Sequence, residues 1–89
     1  MVFEPGLSLS VQSHELRDEI WICIKGTIWI QLNRENESLL KYYDSIKIKH
    51  GVIHTAKNNT DENAEVIEIQ MGIRKEDDIK RYNKDGKGI

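Results

Sequence analysis

The chain has 89 residues, enough for one small domain with a modest core. Its 13 Lys and Arg against 15 Asp and Glu give a net charge of −2, which argues against a basic nucleic-acid surface. No apolar run approaches the roughly 20 residues of a bilayer-spanning helix, and a lone cysteine, Cys23, rules out an internal disulfide or a thiolate zinc cluster.

The N-terminus Met1-Val2-Phe3-Glu4-Pro5-Gly6 lacks the charged-then-apolar layout of a signal peptide, so the expected location is cytoplasmic, with neither membrane nor nucleic acid as partner. Leu7 to Gln12 alternates with period two and reads as a strand. Ile20, Ile22 and Ile24 alternate with Glu19, Trp21 and Cys23, and Ile28, Ile30 and Leu32 alternate with Thr27, Trp29 and Gln31. Lys25-Gly26 marks a turn between these two strands, and Asn33-Arg34-Glu35-Asn36 a hairpin turn. Leu39 to Tyr42, Ser45 to Lys49, Val52 to Lys57 and Glu65 to Met71 are further strands. They are separated by Tyr43-Asp44, His50-Gly51 and the polar loop Asn58 to Asn63. Cys23 reads as a small buried side chain. Trp21 and Trp29, set among isoleucines, read as core residues, and His50 as an exposed turn residue.

Short strands at about 8–12-residue spacing predict an all-β sandwich or barrel. The barrel is expected over residues 1–75. Residues 76–89 are expected to form a short helical segment, its turn beginning around Lys75, and a polar tail. In the first strand, Gln12 and His14 share a face with Ser8 and Ser10, which turns Leu7, Leu9 and Val11 outward if the ligand face looks inward. That outward apolar row predicts a homodimer through this strand.

Gln12, His14 and Glu19 lie at the junction of two strands, and His54 is on a third. Neighbouring strands are about 4.8 Å apart, so these side chains can meet on one ion. Two imidazoles, a carboxylate and an amide oxygen suit Zn²⁺, Mn²⁺, Fe²⁺ or Co²⁺.

The spacing of these residues resembles that of the cupins. Gly6, Gln12, His14, Glu19 and Gly26 fall on a first motif Gly-x5-His-x-His-x3–4-Glu-x6-Gly. Gly51, His54 and Asn58 fall on a second, Gly-x5-Pro-x-Gly-x2-His-x3-Asn, in which Tyr43 and Lys49 replace the first Gly and the Pro. Among cupins the chain is similar to the mannose-6-phosphate isomerases, in particular the C-terminal domain of the bifunctional guanylyltransferase/isomerase type. The carrying stretches are Arg17-x-Glu19-x-Trp21, Asp44-Ser45-Ile46-x-Ile48, Val66-Ile67-Glu68-Ile69-Gln70-x-Gly72 and Glu76-Asp77-Asp78-Ile79-x-Arg81-Tyr82.

The resemblance implies a cupin jelly roll in which a glutamine, Gln12, stands in for the first motif histidine as a metal ligand. It implies a divalent metal, a sugar-phosphate substrate and aldose–ketose isomerisation of mannose 6-phosphate. Arg17 and Arg81 stand at family positions, each suited to a bidentate phosphate contact or to a surface ion pair. Glu15 and Leu16 stand where the family has histidines, which leaves Glu15 as the local candidate for the base. Ile53 and Thr55 replace the basic pair beside the second-motif histidine. These replacements open the alternative of a non-catalytic, metal-containing cupin that binds a sugar or sugar phosphate as a sensor or accessory subunit. A small metal-dependent dioxygenase is a third reading, disfavoured by a glutamine among the ligands.

Overall fold

The computed structural model describes residues 1–75 and 77–83. Among these lie strands β1 (Val2–Phe3), β2 (Val11–Ser13), β3 (Arg17–Lys25), β4 (Ile28–Leu32), β5 (Asn36–Leu40), β6 (Ser45–Ile48), β7 (His54–Lys57), β8 (Ala64–Gly72) and β9 (Lys80–Tyr82). They form two antiparallel sheets, ordered β1-β8-β3-β6 and β5-β4-β7-β2-β9. The sheets enclose Phe3, Trp21, Cys23, Ile28, Ile30, Leu40, Ile48, Ala56, Ala64 and Val66. This is the all-β architecture that the strand spacing predicts, with the two sheets of the jelly roll that the resemblance implies. Among the described residues, no helix is long and apolar enough to cross a membrane.

The alternating rows take opposite phases in consecutive strands. In β4, Ile28 and Ile30 point into the core. In β3, Glu19, Trp21 and Cys23 do so. Ile20 and Ile22 face the other way, opposite Ile69 and Ile67 of β8. A bulge between Cys23 and Lys25 changes the phase, and the chain then turns at Gly26 with φ +74°. A Cβ at Gly26 would come within 2.8 Å of the Asn63 carbonyl oxygen, so the turn requires glycine. Trp29 does not pack in the core as expected. It is half-buried on the outer side, where its indole N–H donates to Glu37 Oε1 at 2.9 Å.

A second register break corrects the expected dimer surface. Ser8 pairs with Lys57, but Gln12 pairs with His54, so the segment before β2 carries one residue more than the strand it faces. An extra residue switches the alternation. Leu9 therefore packs against the core, while Gln12 lies on the same side of the sheet as His54. Leu7, Leu9 and Val11 do not form one outward row. The broader outward apolar surface belongs to β3 and β8, where Ile24, Ile67, Ile69 and Met71 are exposed.

The C-terminal segment also departs from expectation. In place of a helical turn, the Asp78 amide closes a turn onto the Lys75 carbonyl at 3.1 Å, and residues 80–82 form β9. Strand β9 covers the open edge of β2, pairing Arg81 with Gln12 and Tyr82 with Val11. The unpaired backbone groups of that edge outcompete a short isolated helix, which is costly to nucleate. The sheet thus runs to Tyr82, past the expected boundary at residue 75. Glu76 and the expected tail over 84–89 lie outside the described residues.

Asn58 ties the N-terminal strand to the loop after β7. Its buried amide donates to the carbonyls of Phe3 at 2.8 Å and Glu62 at 2.7 Å, and its oxygen accepts from the Thr60 amide at 2.9 Å. Asn58→Ala leaves these buried groups without partners and should lower stability by about 3 kcal/mol. Urea denaturation checks this, with Asn59→Ala, at an exposed neighbour, as the near-neutral control.

Candidate metal centre

Three donors converge inside one end of the sandwich. His14 follows β2, Glu19 is in β3 and His54 opens β7, so both sheets contribute. One donor atom from each lies within 4.8 Å of the others. His14 Nε2 is 3.9 Å from Glu19 Oε2, and His54 Nε2 is 3.9 Å from Glu19 Oε1. The two imidazole centroids are 5.7 Å apart. All three residues are buried.

Backbone carbonyls set both tautomers. His54 Nδ1 donates to Val52 O at 3.0 Å, and His14 Nδ1 to Asp78 O at 2.6 Å. A carbonyl can only accept, so each Nδ1 carries the proton and each Nε2 offers its lone pair toward Glu19. Among the described residues, His54 Nε2 is buried with no hydrogen-bond partner. An orphaned buried lone pair facing a carboxylate is the arrangement a cation would satisfy, so the residues fit a divalent metal. Burial, reinforced by the nearby His14 and Arg17, holds the His54 pKa below its ordinary value and keeps the ring in the neutral, ligating form.

The Glu19 carboxylate is well partnered. Arg17 Nε donates to Oε2 at 2.9 Å, and Trp21 Nε1 approaches Oε1 at 3.4 Å. Arg17 also donates from Nη2 to His14 Nε2 at 3.2 Å. Glu68 of β8, opposite Trp21 in the ladder, lies beside Glu19. Burial and that contact push the Glu68 carboxyl above the usual carboxylate range. Gln70 Nε2 holds the Glu68 carboxyl at 2.6 Å.

A cavity of about 230 Å³ opens beside the cluster. Its wall includes His14, Arg17, Arg74, Lys75, Asp78 and Arg81, so four cationic side chains face one space. The cavity meets the cluster at His14 and Arg17, whereas Glu19 and His54 do not line it.

Of the residues singled out in the sequence, His14, Glu19 and His54 come together. Gln12 sits directly opposite His54 in the ladder, and its amide oxygen accepts from Ser10 Oγ at 3.3 Å. Arg17 and Arg81 both line the cavity. Glu15 does not. It is exposed in a separate depression with Asp18 and His50, because His14 beside it turns inward. Glu15 is therefore not placed to act as the base in this cavity.

Sequence reasoning missed Glu68, Arg74, Lys75 and the part played by Asp78. The Asp78 carboxylate accepts from the amides of Glu15 at 3.0 Å and Leu16 at 2.9 Å, which holds its pKa below the usual range. Alternation within β8 could have flagged Glu68, which lies two residues from buried Val66 on the same face.

The chain matches a family model described as mannose-6-phosphate isomerase C-terminal over residues 1–84. It is 39% identical over 80 residues to the alginate biosynthesis protein AlgA of Pseudomonas putida, covering 89% of this chain and 16% of that protein. It is 40% identical over 78 residues to a mannose-1-phosphate guanylyltransferase of Sinorhizobium fredii, covering 86% of this chain and 15% of that one. The chain thus spans about a sixth of the length of these curated relatives. Among solved structures it superposes on a cupin 2 conserved barrel domain protein of Salinispora arenicola with a TM-score of 0.70 and 25% identity, covering 78% of this chain and 56% of that one.

The low pKa of His54 has a consequence for the metal-free protein. Near pH 6.5 the unfolded chain takes up a proton on this residue that the folded protein refuses, so the unfolded state binds more protons. Stability should therefore fall as pH drops from about 6.5 toward the lowered folded value, by up to about 1.4 kcal/mol per pH unit. Urea midpoints at a series of pH values in chelator check this, and His54→Gln should flatten the dependence over that window.

Proposed function

We propose that this chain, which belongs to the mannose-6-phosphate isomerase C-terminal family, is a metal-dependent domain that binds and isomerises a sugar phosphate such as mannose 6-phosphate. The observation that carries the reading is the pairing of a buried His14–Glu19–His54 donor set with a cavity walled by four cations. His14, Glu19 and His54 would hold the metal, with Gln12 in the adjacent ladder position. When bound, a divalent cation supplies Lewis-acid stabilisation of the negative charge that develops during carbonyl–hydroxyl interconversion.

The chain's own groups do the rest. Arg81, Arg74 and Lys75 present donors and positive charge suited to a phosphate dianion, and Arg17 links that wall to the cluster. Sugar hydroxyls suit the polar wall at Gln70 and Asp78. With Glu15 turned away, the carboxyl beside Glu19 is Glu68, which does not itself line the cavity but is held by Gln70, which does. We assign the holding of the transferred proton to Glu68. The outward position of Glu15 also favours the second reading, a binding domain without turnover.

Two measurements test this. Purified protein should bind Mn²⁺, Co²⁺ or Zn²⁺ near one equivalent by plasma mass spectrometry, and Glu19→Gln should lose most of it. Loaded protein should convert mannose 6-phosphate to fructose 6-phosphate. Glu68→Gln should lower kcat by about 10²–10⁴-fold while retaining its metal. Metal with no turnover on any sugar phosphate leaves the binding reading, and no metal after reconstitution removes both.

A further inference from the structure

We infer that Arg17 is a built-in competitor for the metal position, closing the donor set of the metal-free protein until a cation displaces it. This rests on the metal-binding reading above and goes beyond it. The guanidinium makes two contacts at once, from Nε to Glu19 Oε2 at 2.9 Å and from Nη2 to His14 Nε2 at 3.2 Å. These are the two donor atoms that face each other across 3.9 Å in the cluster.

The chemistry of the two acceptors differs. A carboxylate oxygen has more than one lone pair, so Glu19 can accept from Arg17 and still coordinate a cation. An imidazole nitrogen has a single lone pair. The Asp78 carbonyl fixes the His14 proton on Nδ1, so the one lone pair on Nε2 serves either Arg17 or a metal. Occupancy at His14 is therefore exclusive. His54 shows the contrast, because its Nε2 is also buried and has its proton fixed on Nδ1, yet has no partner among the described residues. Arg17 closes one histidine and leaves the other open.

Position strengthens the case. Arg17 is half-buried and lines the cavity, whereas Glu19 behind it is buried and does not. An arriving cation meets Arg17 before it meets the carboxylate. The same guanidinium gives the Glu19 charge a partner when no metal is present, so the metal-free fold avoids an unpaired buried carboxylate. Arg17 thus stabilises the empty state and sets the affinity of the filled one.

The test is metal affinity and metal-free stability of Arg17 variants, with Mn²⁺ alone as the probe. Arg17→Met removes the competitor. Arg17→Lys keeps a positive charge for Glu19 but lacks the second arm that reaches His14. By isothermal titration calorimetry, Arg17→Met should bind Mn²⁺ about tenfold tighter than the wild type, and Arg17→Lys should also bind tighter. Metal-free melting should shift down in Arg17→Met, and saturating Mn²⁺ should raise its midpoint by more than it raises the wild type's. If Arg17 merely positions Glu19 as a ligand, both variants bind more weakly, and that result overturns the inference. Equal affinity across the three proteins overturns it too. Tighter binding by Arg17→Met alone points to charge repulsion instead of closure of His14 and also overturns it. Should Arg17→Met fail to fold without metal, the Arg17→Lys comparison decides alone. Absence of Mn²⁺ binding in every form instead sinks the metal reading on which the inference stands.

Discussion

The Glu19 carboxyl group lies almost wholly out of water, and the architecture around it answers that constraint. Burying a carboxylate costs several kcal/mol unless charge and hydrogen bonds compensate. Here the compensation comes from the same strand and its neighbour. Arg17 and Trp21 flank Glu19 at two-residue spacing on one face of β3, and Glu68 reaches it from β8. The two histidines arrive from the opposite sheet. The interior therefore divides along its length into an apolar part around Phe3, Ile28, Ile30 and Val66 and a polar part around Glu19. Trp21 spans the two. Its ring is 6.3 Å from that of Phe3 and 6.1 Å, edge-on, from that of His54.

Much of this was legible from residue spacing. Period-two alternation located the long strands β3 and β8, and turn residues located their ends. Asn33, Arg34 and Tyr43 adopt positive φ where turns were expected. His14, Glu19 and His54 were legible because motif spacing reports which strands lie side by side. Phase was harder. Alternation says that Ile20, Ile22 and Ile24 share a face with one another, not which face, and a buried Glu19 makes the more polar face the inner one. A one-residue bulge before β2 cannot be read from a pattern that looks the same on both sides of it, so alternation alone places Leu9 outward.

The C-terminal segment was illegible for a different reason. Glu76-Asp77-Asp78 followed by an apolar residue has the look of a helix start, and local propensity favours it. The competing state is a strand that gains its bonds from β2, some 70 residues earlier in the chain, and no local window contains that information. Glu68 was passed over similarly. Alternation within β8 puts it on the same face as buried Val66, but it is the ladder position opposite Trp21 that places it beside Glu19.

The closing segment is also what makes the centre more than three residues at a suitable distance. Both histidine tautomers are fixed by main-chain carbonyls, those of Val52 and Asp78. The first lies two residues from its histidine and travels with it. The second is 64 residues away and is delivered by the turn before β9. Asp78 grips that place twice, its carbonyl on His14 and its carboxylate on the amides of Glu15 and Leu16. The Ser13 and Tyr82 hydroxyls, 2.9 Å apart, fasten the same two segments one strand further on. His14 is therefore oriented by the far end of the described chain. A domain boundary placed at residue 75 would cut through the site itself, since the groups that aim His14 and the Arg81 side of the cavity both lie beyond it.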